Sequence, residues 1–232
     1  MTNKGENNMK KIAVSITAAI VAGLMMVGMA AADNAAHRDG VVIAKSYAEY
    51  NDQQISEDSE TRYSSVEIPD RNTFQEVTAK EARNIKNGIV VFAFPKCPYC
   101  RNLIPVLADV ANKENQKIYY CKIDDYRDKY KYNPETKEIE KAVEPGEGYE
   151  ELLDWLGEYL NDYILKDEEE NPVETGEKRI GAPTIFRIEN GKPVSKWLLK
   201  DVDVEYPESG HTPWDEAVIE KGSETMRKIF EV

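Results

Sequence analysis

The chain has 232 residues, 41% of them hydrophobic and 31% charged, enough to bury a real core in one domain with appendages and unlike a disordered protein overall. Its 43 acidic residues outnumber 30 basic ones, and the net charge of −13 repels nucleic acid and anionic lipid. Nucleic acid is therefore not an expected partner.

At the N-terminus, Met9, Lys10 and Lys11 precede an apolar run over residues 12–29, and three alanines follow before Asp33. A basic start, an apolar middle and small residues at a cut after Ala32 resemble a bacterial secretory leader over residues 1–32. The rival reading is an uncleaved membrane anchor, because 18 apolar residues are just enough to span a bilayer. Residues 1–32 carry three lysines and one glutamate, so a product starting at Asp33 has a net charge of −15. The expectation is an exported, extracytoplasmic protein, membrane-anchored if the leader is retained.

Residues 33–70 are polar apart from Val41-Val42-Ile43-Ala44, and read as a flexible arm. The domain proper is expected over 71–232. It opens with a short strand at Phe74 and a helix whose Thr78 and Glu81 fit a capping box, with Gly88 as the helix stop. Residues 89–94, Ile-Val-Val-Phe-Ala-Phe, form a continuous apolar run of strand length, as for a strand covered on both faces, and Pro95 closes it. Cys97-Pro98-Tyr99-Cys100 comes next. Leu103, Val106, Leu107 and Val110 then recur at helical spacing, which puts Cys97 at a helix N-terminus and Cys100 in its first turn. Residues 117–124 read as the next strand and complete a βαβ unit.

Residues 126–179 hold 17 acidic and 8 basic residues. They read as an insertion, either a solvated surface or an acidic docking face for a basic partner. Within it, Tyr149, Leu152, Leu153, Leu156, Leu160, Tyr163 and Ile164 share one face of an expected helix, followed by a charged loop over 166–179. Trp155 lies off that face, covered by the insertion or open to a partner. Residues 182–199 read as a hairpin turning at Asn190-Gly191. Thr212, Pro213 and Asp215 open a last helix.

Three readings of the Cys97/Cys100 pair compete. Zinc needs about four ligands, and the chain adds only Cys121, His37 and His211. A disulfide closing so short a loop stabilises little through chain entropy. Redox exchange needs what this spacing supplies: two sulfurs at i and i+3 that can meet, with helix N-terminal amides directed at the first. Pro98 has no N–H, so the donors are Tyr99 and Cys100. Lowering a thiol pKa from ~8.5 to ~6.5 takes about 2.7 kcal/mol, whereas a helix dipole supplies ~0.3 to 1, so direct hydrogen bonds must carry most of the shift. Lys96 either adds a little or points into solvent. Cys121 is expected mid-strand, a buried filler or a third redox thiol.

Strand, helix, strand, helix, hairpin and helix is the order of the thioredoxin fold, and the chain resembles that superfamily over about residues 74–230. The CPYC motif, Pro105 eight residues after Cys97, and Gly181-Ala182-Pro183-Thr184 carry the resemblance, the last matching the family's cis-proline segment. Leader, insertion and CPYC together also resemble thioredoxin-like accessory proteins of bacteriocin export in Gram-positive bacteria. The resemblance implies an α/β thioredoxin fold, a central mixed sheet flanked by helices, with an acidic helical insertion before the cis-proline strand. It implies a thiol-disulfide oxidoreductase in which Cys97 attacks and Cys100 resolves, while substrate meets Pro98, Tyr99, Ala182 and Pro183. The expected partner is a thiol- or disulfide-containing protein or peptide, with a membrane redox partner as a further candidate, and the protein is expected to act as a monomer with no cofactor and no metal. Val91 stands where thioredoxins place a buried aspartate that helps deprotonate the second cysteine, so proton transfer here falls to water. The alternative is a non-enzymatic thioredoxin-like accessory protein that binds secreted peptides or an export system while its cysteines stay idle.

Overall fold

The computed structural model describes residues 38–198, 207 and 209–231. The expected leader and His37 lie outside them. No helix among the described residues is long and apolar enough to cross a membrane.

The fold is mixed α/β, a five-stranded sheet between two layers of helices. In chain order the sheet uses β1 (Phe74–Glu76), β2 (Gly88–Ala93), β3 (Ile118–Lys122), β8 (Thr184–Glu189) and β9 (Lys192–Trp197), and its spatial order is β1-β3-β2-β8-β9. β3 runs parallel to β1 and β2, β8 antiparallel to β2, and β9 antiparallel to β8. Residues 89–93 of the central β2 are all buried, because side chains alternate between two covered faces. Ile89, Val91 and Ala93 join a core with helix α1 (38–48), α3 (Pro98–Lys113) and α5 (Glu216–Phe230). Val90 and Phe92 join the opposite core, with α2 (Ala79–Asn84) and α4 (Tyr149–Leu156).

Short-range signals produce the elements they predict. The Thr78–Glu81 capping box is formed at the start of α2. Asn190 and Gly191 both take positive φ, 51° and 77°, at the β8–β9 turn, a geometry that asparagine and glycine tolerate best. Two boundaries move. α2 stops at Asn84, and Gly88 instead begins β2 at φ 140°. α5 is capped by the Asp215 carboxylate, which accepts the Val218 amide at 2.9 Å, so Thr212 and Pro213 precede the helix.

Residues 33–70 are not a tether in their described part. α1 buries Ile43, Ala44 and Tyr47 against the core, and Asn51 pairs with both the N–H and the C=O of Val66 at 3.0 Å. Polar composition concealed this segment because most of its side chains face water and only a few apolar residues and Asn51 anchor it.

The insertion is mostly β rather than helical. β4 (Lys129–Asn133) pairs with β5 (Glu138–Val143), and β6 (Asn161–Lys166) with β7 (Pro172–Arg179), as two separate antiparallel ribbons. The expected helix ends at Leu156, because Gly157 takes φ 46° and a short 3-10 turn over Gly157–Tyr159 leads into β6. Leu160 and Tyr163 stay buried, but Ile164 is exposed. The expected loop over 166–179 holds β7, whose sparse, charged pattern carries no hydrophobic alternation to announce a strand.

Candidate active site

β2 carries the chain out of the core at its C-terminal end, and α3 begins four residues after Phe94. The Cys97 amide donates to the Phe94 carbonyl at 3.1 Å, closing the turn between them. Cys97 is then the N-cap of α3, with extended backbone, and Pro98 occupies the first helical position, where its missing N–H costs nothing. The N-cap geometry aims the Cys100 amide at the Cys97 sulfur, 3.2 Å away, so the thiol does the work usually done by a serine or aspartate oxygen.

The Cys97 thiol donates to the carbonyl of Ala182 at 3.3 Å, and the Ala182–Pro183 peptide is cis, as the resemblance implied. Residues 85 positions apart are thereby brought together. Pro98, Tyr99 and Ala182 are half-buried beside the thiol, and Pro183 is buried. Cys97 is 4% exposed and Cys100 0%; all three cysteines are free thiols.

The two thiols are driven in opposite directions. The hydrogen bond from the Cys100 thiol lowers the Cys97 pKa; burial opposes it, and the Cys100 amide, the Arg127 charge and the Tyr99 amide assist. Burial pushes the Cys100 thiol well above the ordinary range, and the hydrogen bond to Cys97 and its negative charge add to that. Direct hydrogen bonds do carry the larger part at Cys97. Lys96 contributes elsewhere, its ammonium standing 5.1 Å from the centroid of the Tyr50 ring.

Cys121 lies in the core on the other side of the sheet from Cys97 and Cys100, and burial pushes its thiol up to about 12. It is a filler with no geometry for exchange with the pair. Trp155 is covered by the β8–β9 turn, where its indole N–H donates to the Gly191 carbonyl at 2.9 Å. Among the described residues no three His, Cys, Asp or Glu side chains gather in a way that could hold a metal.

Several residues shape this site without any signal in the sequence. Asn102 donates to the carbonyls of Gly210 and Thr212 at 2.9 and 3.0 Å and accepts the Trp214 amide at 3.3 Å, so it fixes the loop before α5 against the motif. A Cβ on Gly210 would come within 3.0 Å of Pro98 and of the Tyr99 ring, which is why this close approach uses glycine. Arg101 is fully buried and donates to the backbone of Ser64, Tyr47 and Pro95. Arg127 supplies the positive charge that acts on Cys97.

No family model, curated protein or solved structure matches the chain.

Proposed function

We propose that the chain is an exported thiol-disulfide oxidoreductase of thioredoxin fold, acting on cysteine-containing proteins or peptides through a mixed disulfide at Cys97. The observation that carries this reading is the opposed pKa directions of two cysteines within one helix turn, the lowered one capping the helix beside the Ala182–Pro183 segment. From β2 onward, with the two insertion ribbons set aside, the order strand, helix, strand, helix, hairpin and helix supports the fold assignment. The leader-like residues 1–32 support export.

In this reading exchange takes two steps. The Cys97 thiolate attacks one sulfur of a substrate disulfide, forming the mixed disulfide and expelling the other sulfur as a thiolate. The Cys100 thiol then loses its proton to water, since Val91 is an apolar side chain buried in β2. Its thiolate attacks the Cys97 sulfur, releasing the second substrate thiolate and leaving a Cys97–Cys100 disulfide. Two electrons pass from the pair to the substrate, and the reverse sequence oxidises a substrate dithiol. No dissociable cofactor enters. The reduction potential sets the direction.

Burial of Cys97 to 4% exposure favours the second reading, an accessory protein whose cysteines are idle. Incubation with a disulfide-bonded peptide separates the two: in the proposed enzyme Cys97→Ser abolishes exchange and Cys100→Ser stalls as a covalent Cys97 adduct. Absence of any adduct in Cys100→Ser, with peptide bound non-covalently, would leave the accessory reading.

A further inference from the structure

Arg127 and Arg179 bound the acidic insertion, and the fold brings the two within electrostatic reach of each other, with Arg127 also acting on Cys97. The Arg127 guanidinium stands 4.8 Å from the centroid of Phe94, the residue whose carbonyl accepts the Cys97 amide. Arg179 stands 4.0 Å from the centroid of Tyr163, three residues before Ala182, whose carbonyl takes the Cys97 thiol. The Nε atom of each arginine is shielded from solvent and has no hydrogen-bond partner. Among the described residues neither guanidinium forms an ion pair, in a chain with 43 acidic residues.

The two cations also repel each other, and Tyr149, whose hydroxyl accepts the Ile180 amide at 3.5 Å, feels both. Asp124 and Asp128 attract Arg127 and Arg179 respectively, but each has an Oδ1 atom that is buried and unpaired, so neither closes on its arginine. Holding two like charges together in part-buried positions is costly unless an anion joins them. Each guanidinium stands over an aromatic ring, and the Nη pair at its end can meet a carboxylate in a fork.

We propose that Arg127 and Arg179 form a carboxylate-binding subsite beside Cys97, selecting substrate disulfides that carry an acidic group next to the reacting sulfur. This rests on the exchange reading above. The preference runs against the overall negative field of the protein, which would by itself repel such substrates.

The test compares rate constants for reduction of three symmetric peptide disulfides by the reduced full chain. One has Glu beside the cysteine and an amidated C-terminus, one has Gln and an amidated C-terminus, and one has Gln and a free carboxylate on the cysteine itself. The expected result is a preference of about tenfold for a carboxylate-bearing peptide over the neutral one. Comparison of the first with the third tells whether a side-chain or a terminal carboxylate is read. The ratio cancels any change in thiolate fraction, because all three meet the same Cys97. Arg127→Gln and Arg179→Gln should each shrink the ratio, whereas Arg127→Lys should keep part of it. Ratios within about twofold of unity in the native protein, or unchanged in both Gln variants, would overturn the subsite and mean that Asp124 and Asp128 already neutralise the pair. Failure to reduce any of the three peptides would instead overturn the exchange reading.

Discussion

Arg101, the residue after Cys100, donates to the backbone carbonyl of Tyr47 at 2.9 Å, which ties the N-terminal segment to the cysteine-bearing helix. The same side chain reaches Ser64 at 2.8 Å and Pro95 at 3.1 Å, so one buried cation joins residues 47 and 64 to the turn that precedes Cys97. Arg101→Met would leave these carbonyls buried without donors. At roughly 1 to 3 kcal/mol for each unsatisfied group, a loss of about 3 kcal/mol or more is expected in urea unfolding. A chain shortened to begin at residue 71 should be destabilised as well, exposing Tyr120 and Phe74, which pack near Tyr47. Unchanged unfolding midpoints in both would show that the segment is a tether after all.

The Cys100 thiol is the largest single cause of the lowered Cys97 pKa. Alkylation rates against pH should therefore give Cys97 an apparent pKa below the free-thiol value of about 8.5. Cys100→Ala removes the donor and should move Cys97 upward, while Cys100→Ser keeps a hydroxyl donor and should move it less. Equal values in the two variants would assign the shift to the amides and Arg127 instead.

These shifts also set how stability varies with pH. Cys97 has a folded pKa below its unfolded one, so its contribution is present above about pH 8.5 and is lost as pH falls through the folded value. Cys100 and Cys121 are shifted the other way, and their contribution is full below about pH 8.5 and lost as pH rises, for Cys121 toward about 12. The stability of the reduced protein relative to Cys97→Ser should thus grow with pH up to about 8.5, measured by denaturant unfolding. A flat difference would refute the thiolate assignment.

Cys121 should be silent toward alkylating reagents in the folded protein and react only after unfolding, since it is 0% exposed. Mass spectrometry of native and denatured samples decides this. Rapid native modification of Cys121 would mean that the core behind β3 opens readily.

The turn between β6 and β7 is held by Asp167, half-buried, whose carboxylate accepts the amides of the exposed Glu169 and Asn171 at 2.9 and 2.8 Å. Shortening this turn should change stability by no more than about 0.5 kcal/mol and leave the reduction of small neutral disulfides unaltered. Deleting β7 as a whole is a different experiment, because Thr175 donates to the Tyr163 carbonyl at 2.7 Å and so helps seat the ring beneath Arg179.

What the sequence determined by itself is what lies within a few residues along the chain. Thr78 and Glu81, Cys97 and Cys100, and Asn190 and Gly191 are each separated by three positions or fewer, so cap and turn geometry follow from local dihedral preferences. Tertiary structure decided whatever depends on a partner far away. Nothing in the sequence marks Arg101, whose role is set by Ser64 and Tyr47 far along the chain. Arg127 and Arg179 read as the ends of a solvated insertion until β6 and β7 pair and Phe94 and Tyr163 take their guanidinium faces. The apolar spacing from Tyr149 to Ile164 suits a helix, yet Gly157 breaks it and pairing with β7 outweighs the helical preference of the remainder, because strand pairing draws its free energy from a neighbour that periodicity cannot see.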